Sequence, residues 1–225
     1  KLFHTLLRFG TWAQKPVASG GYVRHLPQMF QAGQGVRALP ALADKPFRDL
    51  WPTIRPQAGA GPRVALFAGC AGDFIYPEHL SDALKIFARR DCAVGFPLEQ
   101  TCCGLPAQMM GERKAAEATA LQNLRAFAAE PVDHIVTLCA SCASHIKHAY
   151  PGLLAGQAPE AAIERFCSAI IDFSSFTRDV LGIGDQDLTQ NDETVVYHAP
   201  CHLCRGLGVH DAPRDLLRAG ATYLP

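Results

Sequence analysis

The sequence predicts an α/β fold with a mostly parallel sheet and flanking helices. Short apolar runs of buried-strand type alternate with stretches whose apolar residues recur at helical spacing. Three of these strand-like runs end beside a cysteine, at Cys70, Cys139 and Cys201. Because parallel sheets bind ligands at the carboxyl ends of their strands, we expect cysteine ligands at that edge.

The strand–helix alternation begins at residue 63, after a first segment rich in Pro and Gly. Within residues 1–62 we expect one helix at about 2–14, a linker at 58–62 and otherwise extended chain that wraps over a neighbouring surface. The chain begins at Lys1 inside an apolar pattern and stops soon after a strand-like run. We therefore expect it to be a piece of a longer polypeptide.

The remaining elements follow from hydrophobic periodicity and from Pro and Gly breakers. Residues 78–90 carry apolar side chains at i, i+3, i+4 and i+7, which is typical of a helix with one buried face. The helix that starts at 141 is predicted to stop at Pro151. The predicted elements are strands at 64–68, 92–96, 133–138 and 194–198, and helices at 78–90, 112–129, 141–150, 159–167 and 174–181.

Composition excludes several classes of function. The chain has 225 residues, 48% of them hydrophobic and 19% charged, which is ordinary for a globular α/β protein. The formal net charge is zero, so no nucleic-acid partner is expected, and no apolar run is long enough for a transmembrane segment. The odd number of cysteines, nine, with an adjacent pair, indicates metal binding in a reducing compartment, hence the cytoplasm.

Five cysteines form the most informative pattern of the chain. Cys70 is followed after 31 residues by Cys102-Cys103, and after a further 35 residues by Cys139-x-x-Cys142. An adjacent pair between a lone cysteine and a C-x-x-C is not a pattern of disulfide frameworks or zinc fingers. An iron–sulfur cluster with more than four thiolate ligands uses it, so the spacing predicts such a cluster.

Other interpretations of the cysteines are a zinc site and a buried structural set. The C-x-x-C pairs at 139–142 and 201–204 could form a tetrathiolate site, but the gap of 58 residues exceeds the usual ~15–20. His145 and His148 could complete a Cys₂His₂ site, although histidine on a helix surface is the commoner case. Two further cysteines, Cys92 and Cys167, are predicted to be core residues, and Cys204 is not predicted to be a ligand.

The spacing and the Cys-Cys-Gly triplet resemble the CCG cysteine-rich domain. That family includes the B subunit of heterodisulfide reductase and iron–sulfur subunits of lactate, glycolate and anaerobic glycerol-3-phosphate oxidation systems. The resemblance covers residues 63–150 in detail. It implies a [4Fe–4S] cluster, of the non-cubane form in heterodisulfide reductase. The implied ligands are Cys70, Cys102, Cys103, Cys139 and Cys142.

The sequence segments around the cysteines, residues 69–78 and 100–107, resemble the lactate-utilisation branch of this family. Residues 197–205 resemble the opening of a second CCG repeat, with Cys201 as the first residue of a second site. Residues 24–27 and 46–51 resemble the tail of a ferredoxin-bearing partner. The implied organisation is this tail at 1–62, a first CCG domain at 63–193 and a truncated second repeat at 194–225.

The resemblance implies an oxidoreductase component that passes electrons during oxidation of lactate or a related 2-hydroxy acid. Its expected partners are other iron–sulfur and LUD-type subunits or domains of one complex, with a small 2-hydroxy acid as substrate. The expected location is the cytoplasm, with a peripheral position at the inner membrane as a further interpretation. The alternatives are a zinc-bound or metal-free interaction scaffold, and a thiol/disulfide enzyme that uses Cys102-Cys103.

Polar residues beside the cysteines have two interpretations. They could form hydrogen bonds that tune the cluster, or they could be ordinary capping and surface residues. These residues are Asp73, Tyr76, His198, His202 and Arg205.

Overall fold

The computed structural model describes residues 2–23, 39–57, 59–129 and 132–224. The predicted N-terminal helix is confirmed as α1 (Leu2–Ala13). It precedes a small antiparallel sheet of β1 (Ala18–Ser19), β2 (Tyr22–Val23) and β3 (Leu39–Pro40). The segment 24–27, which resembles a ferredoxin partner's tail, lies outside the described residues.

A second N-terminal helix, α2 (Phe47–Ile54), was not predicted, because Pro46 precedes it and Pro52 lies inside it. Burial of two aromatic side chains stabilises it in spite of these prolines. Phe47 and Trp51 pack on Phe96, with ring centroids 4.9 and 5.5 Å away. The burial of these two aromatic side chains outweighs the low helix propensity of the prolines.

The central sheet confirms the predicted α/β class. Its four strands are all parallel and lie in the order β5-β4-β6-β7. The strands are β4 (Arg63–Leu66), β5 (Ala93–Gly95), β6 (His134–Thr137) and β7 (Ile170–Asp172). The edge strand β7 was not predicted, because it follows a helix directly without a Gly or Pro between them.

Pairs of helices connect the strands; the second helix of the first two pairs and both helices of the third were predicted, whereas the short first helices of the first two pairs were not. The pairs are α3 (Gly69–Phe74) and α4 (Pro77–Arg89), then α5 (Leu105–Met109) and α6 (Arg113–Phe127), then α7 (Ala140–Leu154) and α8 (Glu160–Ala169). The predicted end of α7 at Pro151 was wrong. The helix continues past Pro151 because Leu153 and Leu154 are buried in the core, which offsets one lost backbone hydrogen bond.

Both faces of the sheet are covered, which explains why its strands read as continuous apolar runs. Successive side chains of β4 point to opposite faces of the sheet. Ala65 packs with α6, α7 and α8, while Val64 and Leu66 pack with α2 and α4. The predicted core residues Cys92 and Cys167 are buried.

The chain after β7 forms a smaller unit. A short helix α9 (Phe173–Ser175) runs into a π-helical turn (Phe176–Val180), where a regular helix at 174–181 was predicted. The predicted strand at 194–198 is β8 (Thr194–Val196), which pairs in parallel with β9 (Thr222–Leu224) in a separate sheet. Between them lie a π-helical turn (His202–Gly206) and α10 (Ala212–Gly220). In the described part of the chain, no helix is long and apolar enough to cross a membrane.

Candidate metal centre

The strand order places a crevice at the carboxyl ends of β4 and β6. In the strand order, β5 lies next to β4 towards one edge of the sheet, and β7 lies next to β6 towards the opposite edge. This reversal is the topological switch point at which open α/β sheets bind ligands. Cys70 follows β4 as the second residue of α3, and Cys139 follows β6 directly before α7. Both predicted strand-end cysteines therefore lie at the switch point.

The structure brings the five predicted cysteines together. The sulfurs of Cys70 and Cys102 are 3.6 Å apart. Pairwise interactions that shift the thiol pKa values link Cys102 to Cys103, Cys103 to Cys142 and Cys142 to Cys139. All five are free thiols, Cys103 and Cys142 buried and the other three half-buried. The five thiols therefore lie close to one another, and three of them are partly accessible to solvent.

Two of these thiols ionise easily. Hydrogen bonds from Cys103 and Cys70 lower the pKa of Cys102 to about 3, and the neighbouring backbone N–H of Gly104 acts in the same direction. The Cys142 thiol lowers the pKa of Cys139 to about 6, with help from N–H groups in the first turn of α7. Thiolates at these positions are ready to bind a metal, because the thiolate is the ligand form of cysteine.

The other three thiols resist ionisation. The interaction with Cys102 raises the pKa of Cys70, and it raises the pKa of Cys103 to about 12. The interaction with Cys103 raises the pKa of Cys142, and burial adds to the effect in all three. Five thiolates can therefore coexist here only beside a strong positive charge, which metal ions supply. This donor set fits a metal group with several ligand positions.

The Cys142 sulfur packs closely against the backbone at Gly69. Gly69 has φ +61°, a conformation that favours glycine. A Cβ atom on Gly69 would stand 3.1 Å from the Cys142 sulfur, closer than an ordinary contact. Glycine is therefore required at position 69 both by its backbone angle and by the approach of Cys142.

Two buried polar side chains hold the loop that carries Cys102 and Cys103. Asn123 accepts a hydrogen bond from the backbone N–H of Thr101 at 2.8 Å and donates to the Cys102 carbonyl at 2.9 Å. The Tyr150 hydroxyl donates to the Cys103 carbonyl at 2.9 Å and accepts from Asn123 at 3.0 Å. Neither Asn123 nor Tyr150 was predicted from the sequence. The available signal was an asparagine on the otherwise apolar face of α6.

A buried ion pair ties the N-terminal segment to the site. The Arg48 guanidinium donates to the Asp73 carboxylate at 2.6 Å and to the carbonyls of Leu98 and Gln100 at 3.1 and 3.3 Å. Asp73 is fully buried; burial raises its pKa, and Arg48 opposes that rise. Asp73 lies on α3 with Cys70, and Gln100 precedes Cys102. Asp73 is therefore part of the frame of the site and not a surface residue.

Gln100 connects the two cysteine-bearing loops. Its side-chain oxygen accepts from the backbone N–H of Ala68 at 2.9 Å, and its amide nitrogen donates to the Leu66 carbonyl at 2.9 Å. The side chain is 1% exposed. The end of β4 and the loop before Cys102 are consequently held at a fixed separation.

The remaining predicted residues are exposed, although the turn that carries His202 and Arg205 packs on α7. Cys201 is exposed and follows β8 of the separate sheet, so the structure does not bring it to the five cysteines. Tyr76 is 39% exposed and stacks on His79, which fits the interpretation as a surface residue. His198, His202 and Arg205 are exposed.

The two zinc interpretations find no support in the geometry. Among the described residues, no three His, Cys, Asp or Glu side chains, the five cysteines included, converge as ligands of a single ion. His148 is exposed, with Nε2 2.7 Å from the Gly206 carbonyl. His145 was expected on the helix surface, and this was wrong: it is 5% exposed, since it faces the loop and turn that pack on α7.

Comparisons with known proteins agree with the geometry. The sequence model of the CCG cysteine-rich domain matches residues 64–147. Lactate utilization protein A of Geobacillus kaustophilus is 37% identical over 156 residues, which cover 69% of this chain and 64% of that protein. The protein of the same name from Oceanobacillus iheyensis is 33% identical over 70% of this chain and 63% of its own length.

An uncharacterized iron-sulfur protein of Methanococcus maripaludis is 34% identical over 70% of this chain and 28% of its own length. The chain thus spans less than two thirds of the curated relatives that it matches. No solved structure matches the chain significantly.

Proposed function

Residues 64–147 form a cysteine-rich domain of the CCG family, and we propose that this domain binds an iron–sulfur cluster and passes electrons in lactate utilisation. The proposed ligands are Cys70, Cys102, Cys103, Cys139 and Cys142. The cluster is proposed to be a [4Fe–4S] cluster, of cubane or non-cubane form. The substrate oxidised is lactate or a related 2-hydroxy acid, as the names of the relatives indicate.

One observation carries the proposal. Five thiols from separate loops meet at the switch point of a parallel sheet, with the Cys70 and Cys102 sulfurs 3.6 Å apart. A structural role in the core does not explain this arrangement, because clustered free thiols oxidise readily unless a metal holds them. The relative from Methanococcus maripaludis, whose name describes it as an iron-sulfur protein, supports the same interpretation.

Within this proposal the chain supplies binding, orientation and partial exclusion of water. Asn123 and Tyr150 hold the loop with Cys102 and Cys103, and Gln100 fixes its distance from β4. The first turn of α7 directs backbone N–H groups at Cys139, which favours the thiolate. A bound cluster supplies one-electron transfer at a potential set by its ligands and hydrogen bonds.

The partners proposed for this domain are iron–sulfur and LUD-type subunits or domains of one complex, working in the cytoplasm or at the inner face of the inner membrane. Three of the five thiols are half-buried, so one side of the centre is accessible. Electron transfer requires such an approach between the centre and its donor or acceptor. The accessible side is therefore the proposed side of contact.

Anaerobic purification followed by metal analysis tests the proposal. The wild-type chain is expected to contain about four iron and four acid-labile sulfide per molecule and little zinc. Cys103→Ser should lower both iron and sulfide strongly. Cys92→Ser and Cys167→Ser are matched controls, because these cysteines are buried outside the centre. One zinc without sulfide, or equal iron loss in all three variants, contradicts the proposal.

Addition of substrate tests the lactate assignment separately. The oxidised holoprotein is mixed with lactate, glycolate or a 3-hydroxy acid without oxygen, alone and with the remaining subunits of its complex. Loss of the visible cluster absorbance with lactate or glycolate, but not with the 3-hydroxy acid, supports the assignment. Equal response to the 3-hydroxy acid, or none in the complete complex, refutes it.

A second candidate function is thiol–disulfide chemistry at Cys102. The low pKa of Cys102 and its partial exposure suit attack of its thiolate on a disulfide sulfur. Cys70 stands 3.6 Å away and could resolve the mixed disulfide, so that two thiols are oxidised and one disulfide is reduced. Iron-free protein with thiol-dependent disulfide reductase activity, lost in both Cys102→Ser and Cys70→Ser, would favour this function over electron transfer.

A further inference from the structure

The imidazole of His145 is a buried polar group with an unused atom. His145 is 5% exposed, and across the described part of the chain its Nε2 atom finds no hydrogen-bond partner. A buried nitrogen in this state costs free energy, since it has lost water and gained nothing. A buried polar atom without a partner is rare in native structures and needs an explanation.

The position of His145 indicates which partner this is. His145 lies three residues after Cys142 on α7, so the two side chains share one face of the helix. The charge of a Cys102 thiolate is felt at His145, and the charge of His145 is felt at Cys102. The imidazole therefore borders the metal centre on the side of Cys102.

The ring of His145 also contacts an aromatic side chain. The ring meets Tyr150 edge to face, with centroids 5.7 Å apart. Tyr150 in turn holds the Cys103 carbonyl. His145 thus has a packed, defined orientation beside the loop that carries two proposed ligands.

We propose that His145 is a positioning residue of the metal centre, and that its Nε2–H donates a hydrogen bond to the Cys102 thiolate when that thiolate ligates the cluster. A histidine ring carries at least one N–H, and Nε2 can be the donor. A donor on a ligand sulfur stabilises the reduced, more negative cluster and raises its reduction potential. The inference rests on the proposed function.

Potentiometry of the holoprotein tests this role. His145→Leu removes the donor and keeps an apolar side chain in the core, whereas His145→Gln retains an N–H donor. His148→Gln is the matched control, because His148 is the next histidine on α7 and is exposed. Iron, acid-labile sulfide and the reduction potential are measured for each variant without oxygen.

We expect His145→Leu to keep its iron and sulfide and to show a more negative potential than wild type. His145→Gln should recover part of that shift, and His148→Gln should match wild type. Potentials that are equal in wild type and His145→Leu overturn the inference alone. Loss of iron in both His145 variants also overturns it, because His145 would then be a ligand or a structural residue. A wild-type chain without iron and sulfide overturns the proposed function and the inference together.

Discussion

Replacement of Gly69 by alanine is the sharpest test of the geometry of the metal centre. Gly69 has φ +61°, and a Cβ atom there would lie 3.1 Å from the Cys142 sulfur. Gly182 has nearly the same angle, φ +63°, but nothing lies within 4 Å of its Cβ position. The two substitutions therefore share the backbone cost, and the close contact with Cys142 arises only at position 69, which is also buried.

The shared cost is that of a left-handed alanine, about 1–2 kcal/mol. We expect Gly182→Ala to lose this amount of stability and nothing else. Gly69→Ala should lose at least as much, and its methyl group must also displace the Cys142 sulfur by a few tenths of an ångström. That displacement disturbs the hydrogen bonds of Cys142 with Cys103 and Cys139, and hence three of the five proposed ligands.

Urea unfolding of both variants measures the shared cost, and metal analysis measures the specific one. Gly69→Ala is expected to have less iron and acid-labile sulfide than wild type, while Gly182→Ala retains the wild-type content. The reasoning is refuted if the two variants have the same iron content. It is also refuted if Gly69→Ala is more stable than Gly182→Ala.

Three further predictions concern the frame of the site and its thiols. Arg48→Met leaves the buried Asp73 carboxylate unpaired and should cost about 3–5 kcal/mol in urea unfolding. Tyr150→Phe removes the donor to the Cys103 carbonyl and should cost about 1–3 kcal/mol, with faster amide exchange in the loop before α5. In the metal-free protein, the lowered pKa of Cys102 keeps its thiolate populated as the pH falls from 9 towards 3, so iodoacetamide should still label it at about pH 5.

Each of these predictions has a control in the same chain. Arg8 pairs with Asp49 at the surface, so Arg8→Met should change stability by only about 0–1 kcal/mol; an equal loss in Arg48→Met contradicts the first prediction. Tyr76→Phe, at a half-exposed position, should leave loop exchange unchanged, and the second prediction fails if Tyr150→Phe behaves alike. Labelling at about pH 5 that persists in Cys102→Ser contradicts the third.

The fold class was predictable because buried strands and amphipathic helices have characteristic patterns of apolar residues. β4 and β6 are covered on both faces and read as apolar runs, and α4 carries its buried residues at helical spacing. β7 and α2 were missed for a common reason. Both are specified by tertiary packing, β7 by pairing with β6 and α2 by the aromatic contacts of Phe47 and Trp51.

The cysteines of the candidate site were predictable, but most of its supporting residues were not. Thiols are rare and chemically specific, so their spacing carries information on its own. The supporting side chains donate hydrogen bonds to backbone carbonyls, as Asn123, Tyr150 and Gln100 do. Every residue has a backbone carbonyl, so the sequence does not show which one is the partner. His145 could be noticed as a histidine, but only the structure shows its burial and its unused Nε2 atom.

The contacts of Arg48 bear on how the chain is divided. A boundary at residue 62 was predicted from composition. Arg48 lies before this boundary, whereas the acceptors Asp73, Leu98 and Gln100 of its guanidinium lie after it. Asp73 follows Cys70 by three residues, and Gln100 precedes Cys102 by two. The N-terminal segment thus supplies the positive charge that holds two cysteine-bearing loops together. Whatever its evolutionary origin, this segment belongs physically to the frame of the metal centre, because the buried Asp73 carboxylate has Arg48 as its ion-pair partner.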